Sequence, residues 1–173
     1  MGKDWVGTSN SVFKQIGASN HCEDEREQND YYATDPKAID DLLKLESFDK
    51  NIWECANGGG HLSNRLRQLG KCVWGTDLID RGYQDDIENF LEKTKPFKGD
   101  IITNPPYKYC TEFILKALEL SQRKVAMFLK LTTLEGQSRY EKIYSKFPPK
   151  AIYVYSKRIQ CAKTWRYTCY SLT

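Results

Sequence analysis

This chain of 173 residues has little of what metal-dependent and nucleophilic chemistry usually needs. Histidine occurs twice, at His21 and His61. The six cysteines are Cys22, Cys55, Cys72, Cys110, Cys161 and Cys169, and no two have Cys-x-x-Cys spacing. A zinc site is therefore not expected. No apolar run approaches the length of a membrane span, and the N-terminal stretch lacks the apolar core of a signal peptide. These absences predict a cytoplasmic chain with free thiols and no membrane partner. Cys55 and Cys72 fall in predicted strands and read as small buried apolar residues. The dinucleotide fingerprint G-x-G-x-x-G is missing, and no Walker lysine follows the one glycine cluster. Internal repeats and low-complexity segments are absent too.

What is present fits one folded unit with a real core: 40% of residues are hydrophobic and 28% charged. The formal charge of +3 permits a nucleic-acid partner without demanding one. Residues 1–30 are polar, with a mixed-charge run from Glu23 to Glu27, and read as an arm. Residues 31–173 read as a single catalytic domain with no separate target-recognition domain.

Beyond the arm, strand and helix patterns alternate. Pro36 suits a first helical turn, and Ile39, Leu42, Leu43 and Leu45 follow at helical spacing. Strands are predicted at Asn51–Ala56, Cys72–Thr76, Asp100–Thr103, Val125–Leu131 and Ala151–Tyr155. Helices are predicted at His61–Leu69, Asp86–Lys93, Tyr109–Ser121 and Glu135–Phe147. This alternation implies βαβ units in a doubly wound, mostly parallel α/β sheet of Rossmann-like type. Five strands are clear, with a short tail strand at most beyond them, so the last strands of such a sheet are expected to be reduced.

The most informative segment is Asn104-Pro105-Pro106-Tyr107, which follows the apolar run Asp100–Thr103. Two prolines can continue neither the strand nor a regular helix. They leave a stiff loop at a strand's carboxyl end, where open α/β sheets place ligands. The loop offers an amide oxygen, carbonyls and an aromatic face, which together suit a planar group bearing an NH2. Upstream, Glu54-Cys55-Ala56-Asn57-Gly58-Gly59-Gly60-His61 forms a glycine-rich strand-to-helix turn that permits positive φ and close backbone approach. Asp77, at the end of the next strand, can accept both hydroxyls of a ribose.

These motifs resemble those of S-adenosylmethionine-dependent amino-methyltransferases, and the motif order resembles the gamma class of DNA adenine methyltransferases, notably the small phage-type enzymes. The resemblance covers roughly residues 29 to 163. It implies the class I methyltransferase fold, S-adenosylmethionine as cofactor, and DNA as partner with its adenine flipped out or single-stranded. It implies that Asn104 and the Pro105 carbonyl accept hydrogens from the target amine, with Pro106 stiffening the loop and Tyr107 stacking on the base. It places Glu54, Ala56 and Gly58 beneath the cofactor, Asp77 on its ribose, and Tyr32 and Thr34 near its methionine end. Asn89-Phe90 stands where the family commonly has Asp-Phe against adenine, with Asp86 as the alternative acid. Phe128-Leu129-Lys130-Leu131 and Leu134-Glu135-Gly136 resemble the fourth strand and loop of the phage-type group.

Lys130, Lys157 and Arg158 are the basic candidates for the substrate, the last two in a basic-aromatic stretch beginning at Lys146. Arg65, Arg67 and Lys71 read as a solvated helix face. The same tetrapeptide also serves enzymes that methylate RNA bases or protein glutamine. A non-catalytic chain binding cofactor or nucleic acid is the third reading, carried by Asn89 and by the altered stretch after Lys163.

Overall fold

The computed structural model describes residues 33–156, 159–161 and 165–172, the last two stretches as backbone. Two strands are buried at every position: β4, Asp100–Thr103, and β5, Val125–Leu129. Strands buried at every position belong in the middle of a parallel sheet with both faces covered. β4 lies between β1 (Asn51–Glu54) and β5, parallel to each, with Trp53 opposite Ile101 and Ile101 opposite Val125. β2 (Cys72–Asp77) and β3 (Asp86–Ile87) extend the parallel half on the far side of β1. β6 (Ala151–Tyr153), β7 (Ile159–Cys161) and β8 (Trp165–Leu172) lie on the other side. The order across the sheet is β3-β2-β1-β4-β5-β8-β6, with β7 paired to β8, which runs antiparallel to its neighbours.

Alternation along the central strands splits the core in two. Ile52, Ile102, Ala126 and Phe128 meet α1 (Lys37–Leu45) and α2 (His61–Gln68) through Ala38, Ile39, Leu42, Leu62 and Leu66. Trp53, Ile101, Val125 and Met127 meet α3 (Cys110–Leu120) through Phe113, Ile114 and Ala117. Trp53 anchors this second face. It stacks on Trp74 at 4.6 Å and meets Phe90 edge-on at 5.1 Å, and its indole N–H donates to Thr76 Oγ1 at 2.9 Å. Each such aromatic pair adds about 0.5–1.5 kcal/mol beyond the area it buries.

The chain leaves β1 toward β2 and β3, then returns to β4 on the opposite side of β1. The carboxyl ends of β1 and β4 therefore flank the point where the winding reverses, where ligands bind in open α/β sheets.

Four expectations are corrected. The helix predicted at Asp86–Lys93 is instead β3 followed by a short 3₁₀ turn at Phe90–Glu92. Asp85 and Glu88 donate their backbone N–H groups to the carbonyls of Gly75 and Asp77, so pairing with β2 takes the donors a helix would need. The sheet is not reduced at its end: β8 is eight residues long and sits between β5 and β6. Cys72 opens β2 and is exposed, unlike Cys55. The Glu135–Phe147 helix is shorter and mixed, with an α turn at Gln137–Arg139 (α4) continuing as a π turn over Tyr140–Tyr144. The arm read at residues 1–30 lies outside the described residues.

Candidate active site

Glu54 is the last residue of β1 and is 1% exposed. Its Oε1 accepts from the backbone N–H of Ala56 at 3.2 Å and from the hydroxyl of Thr103, the last residue of β4. Its Oε2 is buried with no hydrogen-bond partner. Burial pushes the Glu54 carboxyl up to about 8; the two hydrogen bonds act against this, and the charge on Asp77 adds to it. A buried acid with an unmatched oxygen in this position marks a candidate site.

The glycine turn is folded against β2. Gly58 has φ +54° and Gly60 +73°, the left-handed region that favours glycine. Gly58 N–H donates to Asp77 Oδ2 at 2.7 Å, and Ile79 N–H donates to Asp77 Oδ1 at 3.0 Å. This fixes the carboxylate at the strand end while leaving each oxygen a further lone pair. Asn57 is buried and bonded all round: its N–H donates to Thr76 O, its Nδ2 to Tyr83 O, and its Oδ1 accepts from Ser63. A Cβ on Gly75 would stand 2.6 Å from Asn57 Oδ1, so only glycine lets the turn close on β2. The sequence reading passed over Asn57 and Thr103. A glycine inside a strand is the signal for such a close approach, and Gly75 carried it.

Immediately after Thr103, the Asn104–Tyr107 loop leaves β4. Pro105 is buried, while Asn104, Pro106 and Tyr107 are half-buried. Tyr107–Tyr109 forms a 3₁₀ turn that leads into α3. Asn104 Nδ2 donates to Thr34 Oγ1 at 2.8 Å. The Tyr107 hydroxyl donates to Asn104 Oδ1 at a long 3.4 Å. Lys130, directly after β5, places its ammonium 4.4 Å from the centroid of the Tyr107 ring, a cation–π contact. Residues from two separate stretches, Thr34 and Lys130, thus converge on the loop, and Thr103 links it to Glu54.

Asn89 and Phe90 stand apart. Asn89 Oδ1 accepts from Leu91 N–H at 3.2 Å, and its Nδ2 donates to Glu92 at 2.7 Å, so its amide caps its own turn. Phe90 is 2% exposed and packs against Trp53 and Phe113. Asp86 accepts from the Trp74 indole at 2.7 Å. Arg65, Arg67 and Lys71 are not simply solvated: they bond to Asp40, to Asp85, and to the carbonyls of Phe48 and Asp49. Tyr32, Lys157 and Arg158 lie outside the described residues. An open groove of about 730 Å³ runs along the outer side of the glycine turn, past Pro36, Gly59, His61 and Arg65. None of Glu54, Asp77 or Asn104 lines it, so the cavity and the convergent polar groups do not coincide. The polar convergence is the better guide, since it holds the buried acid with an open lone pair.

Among the described residues there is no group of three or more metal-ligating side chains, and no helix is long and apolar enough to cross a membrane. No family model matches the sequence, and no curated protein does. Solved structures do resemble it. The magnesium protoporphyrin IX methyltransferase of Synechocystis PCC 6803, crystallised with S-adenosylmethionine, aligns over 97% of this chain and 85% of its own, with TM-score 0.52 and 14% identity. The ribosomal protein L11 methylase of Lactobacillus delbrueckii subsp. bulgaricus aligns over 80% and 75%, with TM-score 0.55 and 13% identity. The 1,6-didemethyltoxoflavin-N1-methyltransferase of Burkholderia thailandensis aligns over 93% and 83%, with TM-score 0.53 and 9% identity. The chain has the Rossmann-like fold of the class I S-adenosylmethionine-dependent methyltransferases. At these identities the likeness defines the fold and nothing narrower.

Proposed function

We propose that this protein transfers a methyl group from S-adenosylmethionine to the exocyclic N6 amine of adenine in DNA. The observation that carries the reading is the Asn104-Pro105-Pro106-Tyr107 loop at the point where the sheet's winding reverses, joined through Thr103 to Glu54, whose buried Oε2 is unmatched.

The residues present fit the cofactor. Glu54, buried with one oxygen unmatched, suits an ammonium group. Asp77, held by Gly58 and Ile79, suits the ribose hydroxyls. Ala56 and Gly58 bring bare backbone close, and Tyr32 stands as a flanking contact by resemblance; Asn89 caps its own turn and Phe90 is packed in the core, so neither is offered to the cofactor. Bound there, S-adenosylmethionine supplies an activated methyl group on a sulfonium centre.

The chain's own residues prepare the acceptor. Adenine's amine is conjugated with its ring and weakly nucleophilic. Asn104 Oδ1 and the Pro105 carbonyl accept its two hydrogens, which draws the nitrogen toward a tetrahedral form and aims its lone pair. Pro106 keeps those two acceptors rigid. This is positioning with electrostatic stabilisation and needs no nucleophile from the protein. Tyr107 stacks on the base once it has left the duplex, worth about 1–3 kcal/mol. Lys130, Lys157 and Arg158 are the cations for the flanking phosphates.

The test is to incubate the purified protein with methyl-labelled cofactor and, separately, with DNA, RNA and peptides, then digest and analyse by mass spectrometry. N6-methyladenine from DNA is expected. Label in RNA or peptide alone, or in none, overturns the reading.

Asp77→Ala is expected to weaken S-adenosylmethionine binding by about 10–100-fold, the loss of charge-assisted hydrogen bonds to two hydroxyls. Calorimetry measures it, and an unchanged affinity removes Asp77 from the ribose.

A further inference from the structure

We infer that the lip beside the Asn104–Tyr107 loop is a stacking platform for single-stranded DNA, holding the nucleotides that flank the target adenine, an inference that rests on the function proposed above. Three segments build the lip: the Tyr107–Tyr109 turn, the Leu131–Leu134 turn after β5, and α4 with the π turn that continues it. They are bonded into one body. Cys110 Sγ, directly after the first turn, donates to Thr133 Oγ1 at 4.0 Å. The Tyr144 hydroxyl donates to Thr133 O at 3.0 Å, and Arg139 Nη2 donates to Thr132 O at 2.9 Å.

What this body turns outward is apolar. Tyr109 is 45% exposed, Leu131 48% and Tyr140 61%. One exposed apolar side chain is ordinary and carries no information. Three from three joined segments, beside the ring proposed to receive the base, do carry it. The backbone itself holds Tyr140 out. Residues three apart share a face of an α-helix, and Ile143 is fully buried, so α-helical winding would draw Tyr140 toward the core. The segment winds instead as a π turn, with Ser145 N–H donating to Tyr140 O at 2.8 Å. The wider turn swings Tyr140 away from the buried face of Ile143.

The charges suit a strand of phosphates. The Lys108 ammonium lies 5.2 Å from the centroid of the Tyr109 ring, and that of Lys130 4.4 Å from the Tyr107 ring. Arg139 and Lys142 add two cations, against the acids Glu135 and Glu141. Rings interleaved with cations are the pattern that binds an unpaired strand, the rings taking base faces and the cations the backbone. A duplex keeps its base faces inside the stack and offers nothing to Tyr109 or Tyr140. A strand already unpaired also spares the cost of flipping the adenine out.

The experiment measures binding without turnover, by fluorescence anisotropy with the full chain. The probe is a labelled DNA oligonucleotide of about 16 nucleotides with one central adenine, used single-stranded and as a duplex. The wild type is expected to bind the single strand more tightly than the duplex by at least about tenfold. Tyr109→Ala and Tyr140→Ala are each expected to weaken the single-strand complex by about 5–150-fold, the worth of one stacked base. Tyr140→Phe, which keeps the ring, is expected to stay within about twofold of the wild type. A second probe, abasic at the nucleotides flanking the adenine, separates stacking from charge. The wild type is expected to bind it about 5–150-fold more weakly than the intact probe, and the double variant Tyr109→Ala/Tyr140→Ala to bind both probes alike. Leu45→Ala, an exposed apolar position on α1, is the control and is expected to bind as the wild type does. Both tyrosines are exposed, so the variants are expected to fold, and thermal melts check it.

Equal affinity for strand and duplex overturns the inference, as does wild-type binding by both tyrosine variants or by the abasic probe. Tighter binding of a single-stranded RNA of the same sequence overturns its DNA half. A dimer in sedimentation that the tyrosine variants dissolve gives the lip to a second copy of the chain instead. If the strand binds as stated and no N6-methyladenine forms, the platform stands and the proposed reaction falls. If N6-methyladenine forms and the tyrosine variants bind as the wild type does, the reaction stands and the platform falls.

Discussion

Asn104→Ala is expected to abolish methyl transfer, lowering turnover by at least about 10²–10³-fold, the cost of removing one preorganised polar contact to a reacting group. Cofactor affinity is expected to stay within about twofold, because Glu54 is held by Ala56 and Thr103 and Asp77 by Gly58 and Ile79. The side chain bonds Thr34 and Tyr107 and is only half-buried, so its loss removes these bonds without opening the core. The Pro105 carbonyl remains and accepts one amine hydrogen, but it then draws on the nitrogen from one side alone. The measurement is transfer of a tritiated methyl group under single-turnover conditions, with calorimetry of cofactor binding alongside. Turnover near the wild-type rate would mean that the loop is a stiff bend and not the acceptor of the amine. Loss of cofactor affinity in parallel would move Asn104 into the cofactor site.

The legible parts of this protein are those fixed by local chemistry. Asp100–Thr103 begins and ends as the sequence pattern predicts, because an apolar strand closed by two prolines has one reading. α3 begins one residue later than predicted and ends one residue earlier. Its apolar residues at helical spacing face the Trp53 side of the sheet. The placing of Asp77 against Gly58 follows from a turn and a strand end that are neighbours in any βαβ unit.

Partners distant in sequence were not legible. Asp86–Lys93 has the length of a short helix, and only the carbonyls of β2 turn it into a strand edge. β8 reads poorly because a strand inserted between β5 and β6 need not alternate cleanly. Its register, Met127 opposite Tyr170 and Ile152 opposite Tyr170, is a meeting of three segments. Thr34 and Asn104 are a similar case. Nothing within a few residues of either indicates the other, and the bond appears only once α1 has packed under the sheet.

Glu54→Gln is expected to change how the fold responds to pH. The carboxyl is at about 8 in the fold and near 4.5 when unfolded, and burial is the main cause. Between those values the folded chain holds a proton that the unfolded chain has released. Stability therefore falls as pH rises through this window, by up to about 1.4 kcal/mol for each unit. The glutamine variant carries no such slope. Without cofactor, it is expected to melt progressively above the wild type from pH 5 to pH 8, with the two converging below pH 4.5. Cys55, the next residue, does not confuse the comparison: burial raises its thiol well above the usual range, so it stays neutral throughout. The same proton reports on the site. If the partnerless Oε2 is the seat of the cofactor's ammonium, that charge favours the carboxylate, and binding near pH 7 must expel the proton. Calorimetry in two buffers of different ionisation enthalpy reads the release directly; it is expected for the wild type and absent for Glu54→Gln. Binding with no proton released, in a protein whose stability slope confirms the buried acid, would place the ammonium elsewhere and leave Glu54 as a structural acid bonded to Thr103.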